Sequence, residues 1–251
     1  MSTAPVGYAP VPLPSRGLLY GGKMPEGKVY IRKLRVTEEA AIQGSTSGID
    51  LVNATVGACV QLPEGLTHQD LLITDRLALL VALRVFTFGP TYSYGYKCPS
   101  CGARNNQDFN LAELSSKLAD DGLVEPIIVK LPDADRTVGL RFLRGKDEAQ
   151  IARVAKRVAL QSNDAADANS LVLRKALQIV SVDGADMPMA DKEAFVRQLT
   201  MVDSQAMSEA LDDAEPGVDL RIYPECKACG FQTDMALPFT LEFFRAARRT
   251  A

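Results

Sequence analysis

Apolar positions along the chain change period several times, and each change marks an element. Leu77, Leu80, Val81 and Val85 recur at helical spacing, with Arg84 between them, in the most apolar stretch of the sequence. That stretch opens at Thr67, with Asp70 three residues on in capping-box spacing, and closes at Gly89-Pro90. It predicts one long helix at the core of the N-terminal half. Ahead of it, Lys28–Arg32 alternates as a strand after a Gly21-Gly22 turn. Thr37-Glu38-Glu39-Ala40 reads as a helix start with the Thr37 hydroxyl as N-cap, and a short helix around Asp50 to Val60 precedes the turn at Pro63–Gly65.

The first 17 residues follow neither period. Prolines at positions 5, 10, 12 and 14 describe an extended arm without a core of its own. Val6, Tyr8, Val11, Leu13, Leu18, Leu19 and Tyr20 are too apolar for a solvated tail, so the arm is expected to lie along its own domain or a neighbouring subunit. Deleting it is expected to leave the fold intact.

Beyond residue 112 the periods alternate. Glu125–Lys130 and Thr137–Leu143 predict a β-hairpin around Leu131–Arg136. Ile151, Val154, Ala155 and Val158 then mark a helix whose other face carries Arg153, Lys156 and Arg157. Asn163–Asn169 reads as a polar break, and Leu173, Ala176, Leu177 and Val180 as a helix ending at Asp183-Gly184. Phe195 with Leu199, and Ala206, Met207, Ala210 and Leu211 behind an Asp203 cap, predict two more helices before Glu215-Pro216-Gly217.

Cysteine placement changes this picture most. Four of the five cysteines stand in two copies of Cys-x-x-Cys-Gly, Cys98-Pro99-Ser100-Cys101-Gly102 and Cys226-Lys227-Ala228-Cys229-Gly230. Two residues between the thiols let one tight turn point both sulfurs the same way. The trailing glycine can take the positive φ that turns backbone N–H groups toward them. Tyr92, Tyr94 and Tyr96 alternate before the first copy, and the chain leaves it through a polar turn at Arg104-Asn105-Asn106 to Phe109 and Leu111. Val218, Leu220 and Ile222 alternate before the second copy, and Phe231, Thr233, Met235, Leu237 and Phe239 after it.

Each copy is thus a zinc knuckle at the tip of a hairpin. Tetrahedral zinc needs four ligands, so the hairpins should meet although 124 residues lie between Cys101 and Cys226. The expected ligands are Cys98, Cys101, Cys226 and Cys229, and the expected cofactor is a structural Zn2+. Four thiolates fill the shell and leave no place for water or substrate. The competing readings are a redox dithiol, which predicts freely titrating thiols, and quiet core cysteines. Cys59, among apolar neighbours, is read as an inert core thiol.

Composition narrows the function classes. With 251 residues, 47% of them hydrophobic, the chain can bury one sizeable core or two smaller ones. A net charge of −3 argues against a general nucleic-acid or anionic-lipid surface, and only the tail, with Arg245, Arg248 and Arg249, is locally basic. The longest apolar run, Leu77–Leu83, is too short to span a membrane, and no secretion signal is read at the N-terminus. Paired metal-binding thiols imply folding in a reducing cytoplasm. No phosphate loop, dinucleotide fingerprint, metalloprotease motif or nucleophile elbow occurs. His68, the single histidine, reads as a surface or capping residue, and Asp183, Asp186, Asp191, Asp212 and Asp213 as solvated carboxylates. No catalytic residue and no small-molecule substrate are expected.

The fold expected from these readings is α+β. It has a helical N-terminal part, a split four-cysteine zinc ribbon formed by two distant hairpins, and a small α+β insert between them. The division is 1–36 arm and strand, 37–88 helical region and 89–112 first half of the ribbon. Residues 113–217 form the insert, and 218–251 the second half of the ribbon with a C-terminal helix.

Order and spacing carry a further likeness. Leu13-Pro14-Ser15-Arg16-Gly17-Leu18-Leu19-Tyr20, then Val29–Arg32 with Glu38-Glu39, then Asp75–Phe88 ending in Arg84-Val85-Phe86-Thr87-Phe88-Gly89, then Cys98-Pro99-Ser100-Cys101, resemble the baseplate hub protein family of T-even-type contractile-tailed bacteriophages. The likeness runs mainly over residues 13–112, with the late knuckle in support. It implies a non-enzymatic structural or assembly protein of the phage tail, present in the virion and passing through the host cytoplasm during assembly. Its partners would be other baseplate and tail proteins. The rival from another class is a cytoplasmic zinc-ribbon module that binds nucleic acid, for which Tyr92, Tyr94 and Tyr96 would stack on bases. The acidic balance and the lack of basic residues among those aromatics weigh against it.

Overall fold

In a computed structural model, which describes residues 6–45, 47–159, 163–237, 239 and 241–244, the proline-spaced arm is a strand of its own domain. Tyr8–Pro12 (β1) pairs antiparallel with Lys28–Arg32 (β2), Tyr8 opposite Arg32 and Pro12 opposite Lys28. The Leu13 N–H continues this register to Gly27 O at 2.9 Å, so odd-numbered residues face β2. Pro10 and Pro12 then lie toward the free edge, where a missing N–H costs no ladder bond. Leu13 and Ser15 are buried, and Ser15 donates through both its N–H and its hydroxyl to Asp75. Removing the arm strips these bonds and corrects the expectation that it is dispensable to the fold.

Val36–Gln43 (α1) starts two residues earlier than expected, with Arg35 rather than Thr37 as N-cap. Glu38 takes the capping role, accepting the Arg35 N–H at 2.8 Å while paired with Arg32. Gly48–Cys59 (α2) follows, capped by Ser47. Val60–Gln61 (β3) completes a three-stranded sheet in the order β1-β2-β3. Ile73–Phe88 (α3) is the long central helix, shorter at its start than the pattern implies. Thr67 and Asp70 close a separate turn. The chain does not enter the helix at Leu71 and Leu72 because the backbone here bonds elsewhere: Gly145 N–H to Leu71 O, Ile73 N–H to Leu143 O and Leu72 N–H to the Tyr20 hydroxyl. Tertiary partners override the local capping signal.

Thr91–Lys97 (β4) and Arg104–Asn110 (β5) form a hairpin, so Arg104-Asn105-Asn106 is strand and not turn. Ser116–Lys117 (β6) is short, and Ile127–Lys130 (β7) and Thr137–Leu140 (β8) form the expected second hairpin. Gly145–Ala159 (α4) and Asn163–Gln178 (α5) come next. The expected break at Asn163–Asn169 lies inside α5, where Ala165, Ala166 and Ala168 supply helix propensity.

The chain leaves α5 at Gln178 into Ile179–Val182 (β9), turns at Asp183 and Gly184 with φ of 49° and 80°, and returns as Ala185–Asp186 (β10). This is a two-residue hairpin, and the four-stranded sheet runs β10-β9-β8-β7. Met189–Gln198 (α6) and Met201–Ala214 (α7) match the two expected helices, although Thr200 caps α7. Asp203 instead receives the N–H groups of Asp133 and Ala134, fastening α7 to the β7–β8 turn.

The run Val218–Ile222 divides. Gly217–Val218 (β11) pairs with β6, while Arg221–Ile222 (β12) pairs with Met235–Ala236 (β13). Asp219 makes the bend, donating its N–H to Ser115 O and accepting the Arg221 N–H. Leu241–Phe244 is a short 3-10 turn. The C-terminal helix assigned to the end of the chain, and Arg245, Arg248 and Arg249, lie outside the described residues beyond that turn. The architecture is mixed α+β, with seven α-helices and small antiparallel sheets among the described residues. Among them no helix is long and apolar enough to cross a membrane.

One apolar cluster extends from Leu13 to Phe244, with Leu79, Leu80 and Leu83 of α3 fully buried at its centre and Val138 and Leu140 of β8 in the same cluster. Each such side chain stabilises the fold by about 1.5–3 kcal/mol. Two arginines of α3 are buried with them. Arg76 bonds Asn53 at 2.6 Å and Glu148 at 2.5 Å. Arg84 donates to the carbonyls of Phe243, Gly89 and Thr91 at 2.6, 2.7 and 3.0 Å. It thereby holds the root of the β4–β5 hairpin beside the segment that follows β13, which sets the two cysteine hairpins next to each other.

Candidate metal centre

Both Cys-x-x-Cys-Gly turns close with the same bonds. In the first, Cys98 N–H donates to Ala103 O and Gly102 N–H to Cys98 O, each at 2.9 Å. In the second, Cys226 N–H donates to Phe231 O at 2.9 Å and Gly230 N–H to Cys226 O at 2.8 Å. Gly102 and Gly230 have φ of 74° and 71°, the left-handed conformation that a side chain would strain. The leading cysteines, Cys98 and Cys226, are buried, and the trailing ones, Cys101 and Cys229, are exposed.

The turns face each other. Cys98 Sγ lies 3.8 Å from Cys229 Sγ, and Cys101 Sγ 3.7 Å from Cys226 Sγ, so each close pair joins the leading cysteine of one turn to the trailing cysteine of the other. All four sulfurs fall within 4.8 Å of one another. A Zn–S bond of about 2.3 Å gives a tetrahedron with edges of about 3.8 Å, which both close pairs match. Donor type and spacing therefore fit a tetrahedral thiophilic cation. Among the described residues this is the only such group of His, Cys, Asp or Glu.

The electrostatics favour a shared positive charge. Burial resists ionisation of Cys226, but the amides of Ala228 and Cys229, the Asn105 side chain and Cys101 outweigh it and bring the thiol down to about 6. Cys229 moves the other way, up to about 12 despite the Phe231 amide, because Cys101, Cys226 and Cys98 crowd it. A bound dication would relieve the opposed shifts of Cys226 and Cys229.

Sequence reasoning missed Asn105. This buried residue of β5 donates from Nδ2 to Cys226 Sγ at 3.3 Å and to Ala103 O at 3.1 Å, and accepts the Lys227 N–H at Oδ1. Its only sequence signal is an asparagine close to the first knuckle. Tyr96, 9% exposed, lies beside the cluster with its hydroxyl unpartnered. Tyr92 packs edge-on against Phe243 at 5.2 Å between ring centroids, so it belongs to the core and presents no stacking face to a base.

The other singled-out residues do not converge. His68 is half-buried against Gly57, held below its usual pKa by burial and by Arg76, with Gln69 as its neighbour. Cys59 is buried, and burial pushes its thiol up to about 11. Asp186 pairs with Lys192 and Asp183 with Arg136.

Comparison with known protein families gives one finding. Residues 20–245 match the family described as T4 bacteriophage base plate protein, a span that includes both cysteine turns and everything between them. No curated protein and no solved structure matches.

Proposed function

The chain belongs to the T4 bacteriophage base plate protein family, and from that premise we propose that it is a non-enzymatic structural or assembly protein of the tail hub. In this reading it is rigidified by a structural zinc and docks other baseplate and tail proteins. The observation that carries the zinc half is the convergence of the Cys98, Cys101, Cys226 and Cys229 sulfurs to tetrahedral spacing from two distant hairpins. Bound zinc would supply four thiolate bonds and no open coordination position. The rest is done by the chain: the knuckle glycines aim the sulfurs, and Arg84 holds the hairpin roots together so that the tips need only a cation to be locked.

On this reading the chain divides into an arm and strand (1–36), a helical region (37–88), two ribbon halves (89–112 and 218–251) and an α+β insert (113–217). Because β1 and Ser15 are engaged within the molecule, docking falls mainly to the insert, where Ile128, Leu171, Met201 and Val202 are exposed. The protein would be made in the host cytoplasm and carried into the virion tail. Purified protein should contain one zinc per chain by elemental analysis, and Cys98→Ser or Cys229→Ser should lose it. Mass spectrometry of purified particles should detect the chain among tail components; its presence only in the soluble pool would replace a virion part by an assembly factor.

A further inference from the structure

The two knuckles share their backbone bonds but not their surroundings. Asn105 follows Cys98 by seven positions, and Thr233 follows Cys226 by seven. At the first of these equivalent places the side chain reaches across to the opposite hairpin. At the second, the Thr233 hydroxyl is buried with no partner. Of these two equivalent positions, only Asn105 ties one turn to the other.

We infer that Asn105 is the positioning residue of the metal centre: it orients Cys226 by an N–H···S bond and pins the second knuckle through Lys227 before any metal is present. This inference rests on the zinc reading above. Its three contacts fix which way the amide points. Nδ2 meets two acceptors, Cys226 Sγ and Ala103 O, and Oδ1 meets a donor, Lys227 N–H, so the reversed amide would set oxygen against oxygen and N–H against N–H. Asn105 and Cys226 are both buried, so water does not substitute for the amide. Outer-shell partners of this kind typically change metal affinity about 10–100-fold when removed.

The test uses the full-length chain, Zn2+ with a competing chelator, and Co2+ as a spectroscopic stand-in. Asn105→Ala should hold zinc about 10–100-fold more weakly than wild type. Asn105→Asp keeps the shape and the Lys227 bond but sets a carboxylate oxygen against both the Cys226 sulfur and the Ala103 carbonyl; it should bind more weakly still and shift the sulfur-to-cobalt absorption. Thr233→Val, at the equivalent place without a contact, should bind like wild type. If wild type holds zinc and both Asn105 variants match its affinity, the role of Asn105 is overturned and the metal site stands. A lower melting temperature of the metal-free variants with unchanged zinc affinity would overturn it too, leaving a merely structural residue. Wild type that binds neither metal would bring down the zinc reading itself.

Discussion

Helix α3 and the cysteine cluster each join parts of the chain far apart in sequence, by opposite means. α3 does it from inside: Asp75 gathers Ser15 and Tyr20, Arg76 gathers Asn53 and Glu148, and Arg84 gathers Gly89, Thr91 and Phe243 around an apolar core. The cluster does it at the hairpin tips, with two of its four thiols exposed and Asn105 reaching from one turn to the other. Buried bonds of the first kind fail only with the fold, whereas the second kind can open while the core stays shut. Proximity of the four sulfurs is thus prepared by the core, and on the zinc reading a bound cation would secure it.

The largest effect should come from Arg84→Leu, which orphans one buried and two partly buried carbonyl contacts and should cost about 3–5 kcal/mol in chemical denaturation. A loss below about 1 kcal/mol would reverse the ranking of the two regions. Chelation comes next. With free zinc held about 100-fold above its dissociation constant the metal contributes about 2.7 kcal/mol, and removing it should forfeit that while far-UV circular dichroism keeps its helical signal. Collapse of that signal would make the clasp the stronger tie.

Glu215 probes the α3 side through pH. Burial first, then Asp212 and Asp75, push its carboxyl up to about 7 from an ordinary 4.5. Between those values the folded state holds a proton that the unfolded chain has released, so its contribution to stability is full at low pH and falls as pH rises through about 7. Glu215→Gln should therefore match wild type near about pH 4 and exceed it by about 2 kcal/mol near about pH 8, read as the difference between metal-free proteins. Equal profiles would mean that the carboxylate is solvated. Smallest of all, Tyr96→Phe removes a hydroxyl without a partner at the edge of the cluster and should change stability by no more than about 0.5 kcal/mol.

What the sequence makes legible follows from how local each signal is. The knuckles are readable because two spacers and a glycine encode the turn by themselves, and Leu77–Val85 because helical period and burial coincide there. Strand β9 is not, since Ile179, Val180 and Val182 continue the apolar phase of Leu173, Ala176 and Leu177; only β-branching separates them. Ser15 and Asp75 meet across 60 positions, and Asn105 and Cys226 across 121, and polar contacts at that range leave no periodicity to find. The early start expected of the central helix fails for the same reason, because Leu71 O bonds Gly145, Leu72 N–H bonds Tyr20 and Ile73 N–H bonds Leu143.

The separation of the cysteine pairs also has a consequence in time. Cys101 leaves the site of synthesis 125 residues ahead of Cys226, an interval of roughly 6–25 s at about 5–20 residues per second. A nascent chain thus carries half a ligand set while α4 to α7 are still being made. On the zinc reading, closure of the four-cysteine site would therefore be a late event, sealing a polypeptide whose interior has already had its chance to form.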